Sequence, residues 1–595
     1  MTRKCLALVA LVLMFVSVAS AQDAKTVIAD ATKAMGYTGL NTIQYSGPLS
    51  HEGAGLGQWM SPTKGWHQNT VKDFTRFIDY GAGTSQRTGL QNRPGDPATG
   101  LLPGGGGLDP SAAPAAANTA NVPATGAWAA RLDVTLSPPA FLKMAAAAPN
   151  ATAKKQSMNG KKYVVVSFNS DQKAPSGVPY KLSGYINTQN NMLEKVETAY
   201  EDDAAANGYL MGDILVEQTY SDFKDFGRVK FPTKMMQSRA GVPWTDVTIA
   251  DVKPNAPAPA PVVAAPGGGG GGRGAGAAGG AAAGGAGGGR GGAAPEGAAA
   301  GGGRGAAGGG GAAAGGGGRG NAAAAPSPRK LADGVFVVTS GYRTMAIEMK
   351  DGIVMFDAPV GGIADAVKQV HQAIPNKPIT HIISTHMHFD HVAGLRTVVA
   401  DGAKPVTIVT SEMNKPVVEK WFSNPRTLQA AVPAASAVPP VPGAAAPAAG
   451  GRGGAAPLPW PDDLQKSGKK VKFEYVKDKL VLKDNNHTIE IYPLKGALHS
   501  EDMMIIYLPK EKVVFEADAY NPGAPNAVTN PMTNGGQLAF QKLFAAELDS
   551  LKLDYTTIVS GHAPGDGRDA SKQDLMVAIG KAPAPAAPAG GGQRQ

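Results

Sequence analysis

Apolar positions divide this chain into two regions with different rhythms. Between residues 24 and 220 they come in short runs. Ala24–Met35 reads as a short helix. Thr42–Tyr45, Phe74–Tyr80, Tyr163–Phe168, Tyr180–Ile186, Leu193–Tyr200 and Ile214–Tyr220 read as strands, being rich in β-branched and aromatic residues in partial alternation. Polar or glycine-containing stretches separate them, so the expected form is a meandering antiparallel sheet wrapped round a helix or two.

Beyond residue 328 strands and helices interleave. Gly334–Thr339, Thr344–Met349 and Ile353–Phe356 predict three strands, with Asp357 closing the third. A helix follows with Ala364, Val367, Val370 and Ile374 on one face. Next come the strand Ile379–Ser384, a helix from Val392 and the strand Pro405–Val409. Val471–Val476, Thr488–Tyr492, Met504–Tyr507 and Lys512–Phe515 predict further strands. Gln537–Leu551 predicts a long helix that buries Phe540, Phe544 and Leu548 at helical spacing. That order suggests sheets covered by helices, an α/β layered domain.

Composition explains what lies between. The 595 residues include 79 glycines, concentrated in 254–327, a tract of Gly, Ala, Pro and occasional Arg. Such a tract buries too little apolar surface to offset its ordering entropy and is expected to be a disordered linker. It separates a β-rich N-terminal domain (22–253) from a C-terminal domain (328–581). The C-terminal domain carries a low-complexity insertion at 430–459, and a disordered tail at 582–595 is expected to follow it.

At the start of the chain, Arg3-Lys4 precede an apolar run from Leu6 to Val18 and then Ala19-Ser20-Ala21. These are the three parts of a cleavable export signal, so residues 1–21 are expected to be removed. The run is shorter than the ~20 residues of a membrane span. The mature chain is therefore expected to be periplasmic or extracellular, without a transmembrane helix, and association with the cell envelope is compatible with that. The single cysteine, Cys5, leaves with the signal. Disulfides, thiolate catalysis and cysteine-ligated metals are then excluded. The net charge of +9 includes Arg3, Lys4 and the linker residues Arg273, Arg290, Arg304 and Arg319. No dense basic stripe with interleaved aromatics marks the folded regions, so they are not expected to bind nucleic acid.

The candidate chemistry is concentrated in the C-terminal domain. Thr385-His386-Met387-His388-Phe389-Asp390-His391 directly follows a predicted strand and holds three of the chain's ten histidines. Imidazole and carboxylate are donors that a zinc-like divalent ion accepts. His386 and His388, two apart, can face one ion, while Asp390 and His391 fall towards a second. His499, Asp518 and His562 each follow a predicted strand, where α/β folds place their sites. His371, His381 and His487 read as structural or surface residues. His51 and His67 lie in apparent loops without ligand spacing, and no chemistry is expected of the N-terminal region.

This ordered set resembles that of the metallo-β-lactamase-fold superfamily: the H-x-H-x-D-H block (386–391), then His499, Asp518 and His562. The resemblance covers 328–581 and says nothing about the N-terminal region. It implies an αββα sandwich binding two zinc ions. His386, His388 and His499 would hold one, Asp390, His391 and His562 the second, with Asp518 bridging. It also implies hydrolysis of an ester, lactone, amide or lactam, or a related bond in a small-molecule substrate. The nucleophile would be a shared hydroxide tuned by Asp390 and Asp518 as catalytic residues. The zinc β-lactamases of one subclass have a cysteine at the position of Asp518 and a lysine nearby, which Ala519–Gly523 lacks, so β-lactams are not the favoured substrate. Tyr520 could assist a lactone carbonyl, but a packed aromatic is the simpler reading. In strand pattern alone, the N-terminal region faintly resembles the half-barrel of periplasmic lipoprotein-carrier domains. Ligand type does not separate zinc from iron or manganese. An iron-dependent redox enzyme, or a non-catalytic envelope ligand-binding protein with a structural metal, remain the alternatives.

Overall fold

A computed structural model describes residues 24–53, 57, 59–66, 68–92, 118–201, 210–259, 327–340, 342–359, 362–401, 405–429, 471–523, 527–529, 531–562 and 567–583. The expected signal peptide, nearly all of the linker, the insertion at 430–459 and the tail from 584 lie outside the described residues. Among the described residues no helix is long and apolar enough to cross a membrane, which leaves β-barrels unaddressed.

The N-terminal region holds one twelve-stranded antiparallel sheet and a separate two-stranded hairpin, Trp59–Ser61 paired with Gly65–Trp66. The order of the large sheet runs from Asn118–Val122 through Thr84–Asn92, Gln68–Asp79 and Thr42–Gly53. It then crosses to Val242–Thr248, Val229–Arg239 and Ile214–Phe226, and finishes through Leu193–Tyr200, Pro179–Asn187, Lys161–Lys173 and Thr152–Met158. Ala24, Ile28, Ala31 and Met35 recur at helical spacing, and all are buried in the core that this sheet encloses. The ordered chain runs past the expected linker boundary at 254. Asp251–Pro254 pairs with the strand Thr42–Gly53, Asn255 Oδ1 accepts from Asn41 N at 2.8 Å, and Ala256 is buried. A proline is tolerated there because it sits at the end of that short strand. His51, expected in a loop, lies within the strand Thr42–Gly53, and His67 is outside the described residues.

The first helix (24–34) ends where Gly36 N donates to Lys33 O at 3.1 Å and Tyr37 N to Thr32 O at 2.9 Å. This is a Schellman closure, which needs a left-handed residue, and Gly36 has φ of 69°. A Cβ there would stand 1.9 Å from Arg228 O. Gly36→Ala is expected to destabilise the protein by more than ~1 kcal/mol in urea unfolding, since backbone strain and clash add.

Two sheets build the C-terminal region. One has seven strands in sequence order from Arg329–Ala332 to Lys472–Val476, and the other has six from Leu480–Lys483 to Ala570–Ser571. Side chains alternate as strands buried on both faces require. Met345, Ile347 and Met349 face the second sheet, where the rings of Phe356 and Phe515 meet at 5.5 Å. Ala346, on the other face, joins Ile363, Val367 and Val370 of the helix Ile363–Ala373. Phe540, Phe544 and Leu548 of the helix Pro531–Ser550 cover the second sheet.

The two regions do not pack as independent bodies. One continuous buried cluster runs from Ala24 and Ile28 to Val418, Trp421 and Leu428. Trp421 stacks on Trp66 at 5.5 Å and meets Trp59 edge-on at 5.1 Å, and all three rings are buried. Trp421 Nε1 donates to Ala240 O at 3.1 Å, and Arg396 Nε donates to Leu210 O at 3.1 Å.

Candidate metal centre

Strand ends from both C-terminal sheets converge at one edge. The parallel neighbours Gly352–Phe356 and Ile379–Ile383 deliver Asp357 and the loop bearing His386, His388, Asp390 and His391. Val513–Glu516 and Thr557–Ser560, also parallel, deliver Asp518 and His562. His499 comes from the turn before Met504–Leu508. All seven sequence-predicted residues meet, in three overlapping groups compatible with metal binding: His386, His388, His499; His386, His391, Asp518; and Asp390, His391, His562.

Asp518 lies at the centre. Its Oδ2 is 2.9 Å from His391 Nε2, 3.4 Å from His386 Nε2 and 3.8 Å from His499 Nε2. Its Oδ1 is 2.8 Å from His562 Nε2. Asp390 Oδ2 stands 3.5 Å from His562 Nε2 and 3.8 Å from His391 Nε2. His386 Nε2 is buried and makes no hydrogen bond. Buried polar atoms left without partners are costly, and this donor set of imidazole nitrogens and carboxylate oxygens fits divalent metal ions. Side-chain exposure shows where the centre opens. It is 28% for His562 and 15% for Asp390, against 0% for His386 and 1% for His391.

Charge divides the histidines. Burial lowers the pKa of His386 and His499 and brings His388 down to about 4, with neighbouring imidazoles adding to the effect. These rings are neutral and keep a lone pair for a cation. Burial also acts against protonation of His391, but Asp390, Asp518 and Asp357 outweigh it and hold that ring's pKa well above its ordinary value. Burial would raise the pKa of Asp518, yet the imidazoles of His499, His562 and His391 bring it well below the usual carboxylate range.

A supporting layer went unassigned in the sequence reading. Asp357, fully buried with φ of 59°, accepts from Thr385 N at 2.7 Å and Thr385 Oγ1 at 2.8 Å. Its Oδ2 lies 2.9 Å from His391 Nδ1, which turns Nε2 of that ring towards Asp518. Asp502 Oδ2 accepts from Met387 N at 2.9 Å and Asn414 Nδ2 at 2.8 Å, bracing the loop from behind. Outer carboxylates of this kind fix ligand orientation. Asp357 could have been suspected as an acidic residue ending a strand before a turn, whereas Asn414 carries no local signal. Glu516 is also buried, and burial pushes its carboxyl up to about 8; Tyr520 N donates to its Oε2 at 3.0 Å. Tyr520 is itself buried, in line with the packed-aromatic reading. Lys495 sits on an exposed turn. The N-terminal region, of which no chemistry was expected, reaches the site through Trp59, whose carbonyl oxygen lies 2.6 Å from His388 Nε2.

A search of curated proteins returned no match. Solved structures similar to this chain include a metallo-beta-lactamase from Pontibacter korlensis, at 15% identity and a TM-score of 0.28, covering 42% of this chain and 96% of that one. Another is the stereoselective inverting sec-alkylsulfatase Pisa1 from Pseudomonas sp., at 15% identity and 0.27, covering 42% and 39%. A third is rubredoxin oxygen:oxidoreductase from Desulfovibrio gigas, at 14% identity and 0.27, covering 42% and 60%. The family model described as the metallo-beta-lactamase superfamily matches residues 344–562, a span that contains all seven clustered residues, and it is this C-terminal part of the chain that is recognised as metallo-beta-lactamase-like.

Proposed function

We propose that the chain is an exported dinuclear metal hydrolase, with zinc as its metal and a small-molecule ester, lactone, amide or related compound as its substrate. The observation that carries this reading is the convergence of His386, His388, Asp390, His391, His499 and His562 around the carboxylate of Asp518. In this reading His386, His388 and His499 hold one ion, Asp390, His391 and His562 hold the other, and Asp518 serves both. The C-terminal domain is a helix–sheet–sheet–helix sandwich, and 1–21 is its export signal. The folded regions bind no nucleic acid, and the mature chain acts in the periplasm or outside the cell.

Bound metal would supply Lewis acidity and an acidified water. The protein's own residues do the rest. Asp518 balances the charge at the centre, and Asp357 accepts from His391 Nδ1 and so turns Nε2 of that ring towards the metal-binding position. Asp390, on the open side beside His562, accepts the proton released during hydrolysis and returns it to the leaving group. Tyr342, whose ring lies 5.0 Å from that of His562, borders the same opening, through which substrate approaches.

The test is metal content per mature chain by elemental analysis, after purification without chelator or a histidine tag. About two zinc ions per chain is the expected result. Two iron ions would move the reading to redox chemistry. An empty chain after zinc has been supplied would overturn it.

A further inference from the structure

The N-terminal hairpin Trp59–Trp66 reaches across the chain to the metal-binding block. Its backbone meets that block twice in succession. Phe389 N donates to Gly57 O at 3.0 Å, and His388 Nε2 lies 2.6 Å from Trp59 O. A carbonyl oxygen can only accept, so the proton of this contact sits on Nε2. A neutral imidazole that donates from Nε2 has its lone pair on Nδ1. Ser500 Oγ, next in sequence to His499, is 3.0 Å from the same carbonyl oxygen and also bonds Asp502.

The carbonyl is held in place by its own side chain. Trp59 Nε1 donates to Asn414 Oδ1 at 2.9 Å, and Asn414 Nδ2 donates to Asp502 Oδ2 at 2.8 Å. That carboxylate oxygen accepts from Met387 N, the residue before His388. A closed circuit therefore joins Trp59, Asn414, Asp502 and the 387–388 backbone, and its rings pack against Trp66 and Trp421. Gly57 holds φ of 89°, a left-handed value that an L side chain resists, at the point where the chain turns into the hairpin.

We infer that Trp59 is a positioning residue of the metal centre: its carbonyl fixes the Nε2–H tautomer of His388, so that Nδ1 is the nitrogen this ring offers to a metal ion. The N-terminal region is then part of the centre and not merely tethered to it. This inference rests on the metal-centre reading above. It concerns one of the two ions, the one assigned to His386, His388 and His499.

Two measurements on the full-length mature chain test it. The first needs no variant: long-range ¹H–¹⁵N correlation spectra of histidine-labelled protein, with His388 assigned through its loss in His388→Gln. The Nε2–H pattern is expected, both without metal and with zinc, and an Nδ1–H pattern would overturn the inference. The second is zinc competition against a chromophoric chelator in Trp59→Gly and Trp59→Phe, with folding checked by circular dichroism. In Trp59→Gly one of two zinc ions is expected to bind about 10–100-fold more weakly while the other is unchanged, the usual cost of losing an outer-layer hydrogen bond. Trp59→Phe keeps a ring in the aromatic cluster but loses the indole N–H that anchors the carbonyl through Asn414, and is expected to weaken the same ion by a smaller factor than Trp59→Gly. A folded Trp59→Gly protein with both zinc affinities unchanged would sink the inference while leaving the metal centre intact. A parent chain that binds no zinc would sink the metal-centre reading instead, with the tautomer still readable in the spectra.

Discussion

Asp518→Ala is expected to empty both halves of the metal centre and to abolish hydrolysis. The carboxylate of Asp518 approaches four imidazoles, those of His386, His391, His499 and His562, at 2.8 to 3.8 Å. Without it, the proposed pair of cations would face each other and a cage of neutral or cationic rings, with Asp390 the one carboxylate left among the proposed ligands. Like charges at short range in a buried site repel strongly. Metal content is therefore expected to fall from two ions to less than one per chain, and activity by at least about 10²–10³-fold, the range for losing a key electrostatic group. His386→Ala is expected to behave similarly, because its Nε2 is buried with no protein partner and the ring belongs to two of the three ligand groups. Elemental analysis and turnover on the same preparations provide the check. A His386→Ala protein with full metal content and full activity would refute the assignment.

Trp421→Ala is expected to cost about 3–5 kcal/mol, the usual range for deleting a fully buried large aromatic side chain. The indole fills the junction between the two regions, against Trp59 and Trp66, and its Nε1 satisfies Ala240 O. Truncation leaves both a cavity and an unpaired carbonyl. Because the buried cluster is continuous across the junction, urea unfolding followed by hydrogen exchange is expected to show amides of the N-terminal sheet and of the strands around Ile379–Ile383 losing protection together. Loss confined to one region would show that the two fold independently.

Much of the centre is legible in the sequence. The block 386–391 places four donors within six residues, and Asp518 and His562 each follow an apolar run that becomes a strand, whereas His499, expected directly after a strand, lies in the turn between Thr488–Pro493 and Met504–Leu508. The period-two run Leu193–Tyr200 became a strand with those same bounds, while Tyr163–Phe168 and Ile214–Tyr220 became parts of longer strands. Phe540, Phe544 and Leu548 line the buried face of their helix. These features are local: ligand type, spacing and periodicity are written in adjacent residues. The strands Val229–Arg239 and Val242–Thr248 were not assigned, because Pro232, Pro243 and scattered polar residues blur their alternation.

The sequence by itself determined what kinds of atoms this protein can offer a metal ion, and the order in which the chain supplies them. Only the tertiary structure decided which nitrogen of each ring is turned inward, and what turns it. Asp357 orients His391 from 34 residues away, and the Trp59 carbonyl reaches His388 across 329. The physical reason is that a backbone carbonyl is the same group at every position. Its meeting with one imidazole is set by how a tryptophan hairpin packs into a shared core, and no pattern of neighbouring residues encodes that contact.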